Sequence, residues 1–362
     1  MNYRSVPVDA QWYLPTLVTV RADEEWLSGF EFCAKHYVQI HIITAWNPGE
    51  ERPGDAISDS QYEQLRLDIS ALGFECFEAL GSDPNSTHVE KSWAIVGMSD
   101  NVAVELGKKY HQVAVFRITQ SRQSVLGCLS DWEVSRGNRT PIGINHVAEW
   151  INETSKRNHA YLQSLLNRYF GKGSEYVGYQ GRQFEWFIGQ SEKGSFTSED
   201  LLAIGALSVQ VPASTARKLI EDENGEFGPL IGRCHVFAEE NQAIEQKDWL
   251  WEEGSPFNEL HLALNNKSLP GVGKVVRSKL MAAKFPESIP IRDSRVEALL
   301  ECSGHDEWWR PMHRLLSETQ KALSSLEIFN PSIEVSLLRK LDVVLWMEAS
   351  DREVTNAKSE VS

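Results

Sequence analysis

The fold of this 362-residue chain is narrowed most by a change of rhythm near residue 136. Before it, β-branched and aromatic runs alternate with helical apolar spacing; after it, helical spacing dominates. Strands are predicted at Val18–Arg21, Tyr37–Trp46, Phe74–Ala79, Ser92–Gly97 and Val113–Ile118. Asn47-Pro48-Gly49 stops the second of these. Helices are predicted over Asp59–Leu72, closed by Gly73, and over Asn101–Tyr110, capped by Asp100 or Asn101. This order describes a small α/β domain over 1–135 with one mixed sheet. Residues 136–142 (RGNRTPI) are polar, basic and proline-containing, and read as a linker. Beyond them, helical patterns cover 145–170, 197–208, 212–222, 235–246, 257–265, 274–284, 294–301, 308–325 and 332–348. Thr197 or Ser198 caps the second, with acidic residues in its first turn. The second domain, 143–350, is therefore mainly α-helical, and the polar tail after about Glu348 reads as frayed.

Composition removes several classes. The chain is 41% hydrophobic and 10% aromatic, with 12 tryptophans, so it is an ordered globular protein. The N-terminus (MNYRSVPVDAQWYLP) has no basic segment followed by an apolar run, which predicts no secretory leader. No apolar stretch reaches the ~18 residues of a membrane span. Cys33, Cys76, Cys128, Cys234 and Cys302 are scattered and odd in number, with no Cys-x-x-Cys. They read as reduced, mostly structural thiols in a cytoplasmic protein, and they disfavour a cysteine-ligated metal. The histidines form no His-x-x-x-His pair, so no metal is expected. No Walker lysine motif and no Gly-x-Gly-x-x-Gly loop follows a strand, so no nucleotide cofactor is expected either.

Net charge is −15, from 36 basic and 51 acidic residues, which by itself disfavours nucleic acid. The distribution points the other way. Residues 267–300 hold seven basic and three acidic side chains, or +4, whereas 141–266 hold ten and 18, or −8. The basic island contains Leu269-Pro270-Gly271-Val272-Gly273, placed between two helical patterns. Glycines there permit a tight turn and close approach of the backbone to a phosphate. Outward N–H groups at a helix start bind anions through donors and dipole. Such a contact positions DNA and reads no bases. A plain helix–turn–helix connection is the simpler reading of the same residues. Asp293 follows Gly273 by 20 residues, after the β-like run Ile289-Pro290-Ile291. It precedes Ser294-Arg295-Val296-Glu297, so it also reads as a helix cap.

Together, the hairpin and this aspartate resemble the helix-hairpin-helix DNA glycosylase superfamily. Its hairpin reads Leu-Pro-Gly-(Val/Ile)-Gly, and a catalytic aspartate follows at this interval. Ile-Pro-Ile-Arg-Asp-Ser-Arg-Val here is close to the pattern of adenine-specific members. The resemblance is close over about 30 residues and loose over about 150. It implies a glycosylase-like helical domain that binds double-stranded DNA, with Asp293 as the catalytic carboxylate. Pro270, Gly271, Val272, Gly273, Lys274, Arg277 and Arg295 would hold the backbone. A carboxylate beside C1′ stabilises the oxocarbenium character of the cleaved sugar, and the base must first be flipped out of the stack. Lytic members carry a lysine two residues after the second glycine. That position is Val275, with Lys274 and Lys279 off register, which implies a monofunctional enzyme leaving an abasic site. The four-cysteine cluster of some members is absent. Arg292, directly before Asp293, departs from the pattern, and as an adjacent cation it would lower the carboxylate's pKa or recruit phosphate.

Weaker signals remain. Tyr176–Phe187 (YVGYQGRQFEWF) is aromatic with polar residues interleaved; Tyr179, Gln183 and Trp186 would line a base pocket, or simply fill the core. The helical segment resembles an uncharacterised bacterial family at Phe196–Ala203, Leu207–Pro212 and Leu337–Trp346. The N-terminal part resembles another, at Ile43-Thr-Ala-Trp-Asn-Pro48 and Ala94–Ser99. Thr44, Trp46 and Asn47 form either a small binding site or a strand stop. The base is open between ordinary repair of alkylated or oxidised bases and, as the appended α/β module and the unfamiliar pocket segment suggest, a less usual base in antiviral defence. In the latter the base is a hypermodified cytosine of phage DNA, such as a glucosylated hydroxymethyl form. This step is analogy, because fold does not set function. The competing expectation is a non-enzymatic protein that grips the DNA backbone.

Overall fold

A computed structural model describes residues 13–46, 55–83, 89–171, 178–240, 252–302, 308–329 and 334–353. The chain divides into two compact units, Met1–Thr140 with Asp351–Val354, and Pro141–Ser350. The boundary falls inside the linker expected at 136–142.

The first unit runs β1 (Leu17–Ala22), β2 (Glu25–Ser28), α1 (Gly29–His36), β3 (Ile40–Thr44), α2 (Asp55–Ala71), β4 (Cys76–Ser82), β5 (Val89–Val96), α3 (Asp100–Lys109), β6 (Ala114–Ile118), β7 (Arg122–Gly127) and β8 (Glu133–Gly137). These strands form one sheet in the order β2-β1-β4-β5-β3-β6-β7-β8. Every pairing is antiparallel, so the expected mixed sheet is corrected. Period-2 patterns locate strands but carry no sign of direction. The helix α2 follows β3, yet β4 pairs with β1 and β5 rather than with β3, so no parallel neighbour arises.

Both faces of β3 are covered, which explains its unbroken apolar run. Ile40 and Ile42 pack with Phe32 and Cys33 of α1, whereas Ile43 packs with Leu65 and Ile69 of α2 and with Leu106 of α3. Tyr37, expected to open this strand, instead ends α1 in the left-handed conformation. The backbone cap of α3 is Ser99. Asp100, expected as a cap, accepts from buried His41 (Nε2 to Oδ1, 2.9 Å) and pairs with Arg117.

The second unit is helical: α4 (Val147–Arg157), α5 (His159–Phe170), a 3-10 turn (Gln180–Arg182), α6 (Gln183–Ile188), α7 (Ser198–Ala206), α8 (Ala213–Glu221), α9 (Phe227–Glu240), α10 (Pro256–Leu264), α11 (Lys274–Lys284), α12 (Ser294–Leu299), α13 (Trp309–Ser324) and α14 (Leu337–Arg352). The predicted helix over 145–170 is broken at Asn158, whose extended φ of −146° ends α4 and starts α5. The turn and α6 were missed because three aromatics in a short window suit strand and helix alike. Part of the helix predicted over 235–246 lies outside the described residues; α9 starts at Phe227, because Asp222 accepts from the first N–H groups of that helix. Its core joins Leu269, Val272, Leu280 and Met281 to Phe184, Ile204, Ile231 and Leu260. The hairpin segment is thereby anchored from within by apolar burial, the main favourable term in folding.

Candidate functional site

Helices α10 and α11 flank the loop 265–273. Val272 donates its N–H to the Leu269 carbonyl (3.2 Å), and both side chains are buried. Pro270, Gly271, Gly273 and Lys274 are exposed at the tip. Gly271 has φ +85°, and a Cβ there would lie 2.5 Å from Cδ of Pro212. Its close approach is thus to its own chain. A Cβ on Gly273 would meet nothing within 4 Å. Thr215 donates to the Pro270 carbonyl (2.8 Å) and Lys218 to the Ser268 carbonyl (2.9 Å), so α8 holds the loop.

The +4 island is mostly turned inward, which corrects the electrostatic expectation. Arg277, Lys279, Lys284 and Arg292 are all buried. Lys284 pairs with Asp200 at 2.5 Å and donates to Ser191 Oγ at 2.8 Å. Arg292 pairs with Glu297 (Nε to Oε1, 2.7 Å). Arg277 borders a cavity of about 230 Å³ with Lys274, Arg292, Trp308 and Trp309. As folded, it is not on the outer hairpin face where phosphate contact was expected. Among the expected backbone-binding side chains, Lys274 and Arg295 are exposed.

Asp293 is the N-cap of α12; its Oδ1 accepts from the Arg295 N–H at 3.0 Å. Its side chain is 23% exposed, and Oδ2 lies 3.9 Å from Nζ of Lys279. Lys279 also donates to the Leu207 carbonyl at 2.9 Å, and burial pulls its pKa down. The run 289–292 that delivers Asp293 is clamped from two helices. Ser278 of α11 accepts from Arg292 N (2.8 Å) and donates to the Pro290 carbonyl (2.9 Å). Asp342 of α14 accepts from Ile291 N (3.1 Å). Burial pushes the Asp342 carboxyl up to about 7, and its Oδ1 is buried without a hydrogen-bond partner.

A second buried cluster stands beside this one. Arg339 donates to Glu185 (2.5 Å) and to the Tyr169 hydroxyl (2.7 Å). A Cβ on Gly181 would lie 2.1 Å from that hydroxyl, so only glycine fits. The Tyr169 ring stacks on Tyr179 at 5.8 Å, and both meet Trp346 edge-on, at 5.9 and 5.3 Å. The Arg295 guanidinium lies 5.8 Å from the centre of the Trp346 ring.

The three expected base-pocket residues therefore separate. Tyr179 joins the Trp346–Arg295 platform near Asp293. Gln183 and Trp186 line a groove with α7. The sequence pattern sets Lys279 aside as off register and does not single out Ser278, Asp342, Arg339 and Trp346 for the site. The available signal was three charges, Arg339, Lys340 and Asp342, inside the otherwise apolar run 335–347.

Four of the cysteines are buried and Cys76 is half-buried; burial pushes the Cys234 and Cys302 thiols up to about 12. Among the described residues, no group of three His, Cys, Asp or Glu side chains could hold a metal ion. Among them, too, no helix is long and apolar enough to cross a membrane.

Residues 162–349 match a family of unknown function (DUF6308), and residues 43–115 match a protein of unknown function (DUF3293). No curated protein and no solved structure matches the chain.

Proposed function

The chain belongs to the family of unknown function DUF6308, and from its site geometry we propose that it is a monofunctional DNA glycosylase. It hydrolyses the N-glycosidic bond of a flipped-out damaged or modified base and leaves an abasic site. The observation that carries this reading is Asp293: a partly exposed carboxylate, held on both oxygens' sides by Arg295 N and by Lys279 of the helix that follows the hairpin. A carboxylate fixed in this way stabilises positive charge developing on the sugar and orients a water toward C1′. Preorganisation is the useful part, since a donor already in place needs no rearrangement in the transition state. Tyr179 and Trp346 offer an aromatic platform beside it. Gly273 is the N-cap of α11 and brings no side chain of its own to the helix start, which suits a backbone phosphate. Val275 in place of the lytic lysine supports hydrolysis without strand cleavage. The substrate class remains that of a repair or antiviral-defence enzyme, with a hypermodified phage cytosine as one member.

A second reading is a non-enzymatic DNA-binding protein. It is favoured by the cap bond of Asp293, which gives that residue a structural task of its own. One experiment separates the two. DNAs carrying candidate modified bases, including modified phage genomes, are incubated with the protein and then treated with alkali. Base-dependent nicking that disappears in Asp293→Asn is the expected result. DNA binding without base release from any substrate overturns the enzyme reading, and nicking without alkali overturns the monofunctional one.

A further inference from the structure

We propose that the groove between the 3-10 turn, α6 and α7 holds a second unstacked nucleobase, neighbouring the one at Asp293, and that Trp186 and Gln183 select it. The groove encloses about 720 Å³, within the roughly 300–1,000 Å³ of small-ligand sites. Trp186, Phe187 and Leu202 supply apolar wall, and Gln180, Gln183 and Gln210 supply carboxamides. No lining residue is charged, in a chain of net charge −15. A phosphate, carboxylate or ammonium placed there would be desolvated without a counter-charge. The occupant is therefore neutral where it touches the protein.

Trp186 and Leu202 are each 53% exposed, which leaves a broad apolar surface uncovered. The three glutamines are exposed as well. A carboxamide presents a donor and an acceptor side by side, the pattern that pairs with the edge of adenine. A flat apolar face with amides at its rim matches a nucleobase, which stacks through its ring and bonds through its edge.

The groove is also tied through the chain to the hairpin and to Asp293. Ala206 lines it, and the next residue, Leu207, accepts from Lys279, which is 3.9 Å from Asp293. Val211 lines it too, and the next residue, Pro212, packs against Gly271 at the hairpin tip. The groove is thus linked through Lys279 to the carboxylate and through Pro212 to the hairpin. The source of the base rests on the DNA reading above; the neutral, amide-rimmed chemistry does not.

The test is equilibrium binding of the full chain to labelled, unmodified single-stranded oligonucleotides: oligo-dA, oligo-dT, and a backbone bearing abasic sites. Stacking of ~1–3 kcal/mol per base predicts that Trp186→Ala weakens oligonucleotide binding about tenfold and leaves the abasic strand unchanged. Gln183→Ala narrows the difference between oligo-dA and oligo-dT. Both residues are exposed, so both variants are expected to fold, which the melting temperature measured alongside checks. Wild-type affinity in both variants overturns the proposal, as does equal binding of intact and abasic strands, or capture of an apolar peptide that oligonucleotides do not displace. Asp293-dependent base release together with unchanged oligonucleotide binding by Trp186→Ala would remove the groove and leave the glycosylase. Trp186-dependent binding without base release would do the reverse.

Discussion

Among the described residues, ion pairs with both partners buried occur in the helical unit and not in the sheet unit. In the sheet unit, Arg21–Glu78 and Lys91–Asp59 have all four side chains 47–53% exposed. In the helical unit, Lys284–Asp200, Arg292–Glu297 and Arg339–Glu185 have side chains 0–10% exposed. Surface pairs contribute little, because water screens them and their side chains lose freedom on pairing. A buried pair costs desolvation that its attraction roughly offsets, yet losing one partner leaves an uncompensated charge. Burial therefore turns these pairs into pins for position. All three pin segments around Asp293: α11 to α7, the 289–292 run to α12, and α14 to α6.

This contrast can be broken by mutation. The largest effect is expected for Arg339→Met, which strands Glu185 in the interior. A loss of about 3–5 kcal/mol is expected by chemical denaturation, with most of it recovered in Glu185→Leu/Arg339→Met. If the double variant is no better than the single one, the pair is not acting as a unit.

Next comes Asp342. Its folded carboxyl sits at about 7, above the ordinary value of 3.8. Raised in this way, the neutral form is the one the fold favours. The stability it contributes is complete below about pH 4 and is lost as pH rises through 7. The slope is at most about 1.4 kcal/mol per pH unit. Asp342→Asn keeps an acceptor for Ile291 N and cannot ionise, so its stability should be flatter than wild type between pH 4 and 7. Parallel curves would show that Asp342 does not titrate in that window. The smallest effect is expected for Lys91→Ala in the sheet unit, under about 1 kcal/mol. A larger loss would mean that the contact of Lys91 with Trp46, 5.0 Å from Nζ to the ring centre, counts for more than the ion pair.

Local chemistry made much of this protein legible in advance. α11 spans the residues its apolar spacing predicts, and Asp293 caps α12 as Asp-Ser-Arg-Val-Glu suggests. Proline and glycine at the hairpin tip, and polar residues at the unit boundary, act on their nearest neighbours, so the chain order itself carries them. Sheet direction was not legible, since alternation is the same for parallel and antiparallel strands. β7 and β8 were missed for a related reason: Arg122–Gly127 is mostly buried yet begins Arg-Gln-Ser, too polar to read as strand.

The basic island shows the same limit for the candidate site. Counting charges along 267–300 placed +4 beside the hairpin, and the count is correct. Whether a charge faces a phosphate or a buried carboxylate depends on partners such as Asp200, which is 84 residues away from Lys284. Local spacing determined the hairpin, the cap and the two-unit order, because those forces act over a turn of helix. Only the tertiary structure decided which cations are spent in the interior and which carboxylate stays exposed, because burial is set by contacts between distant parts of the chain.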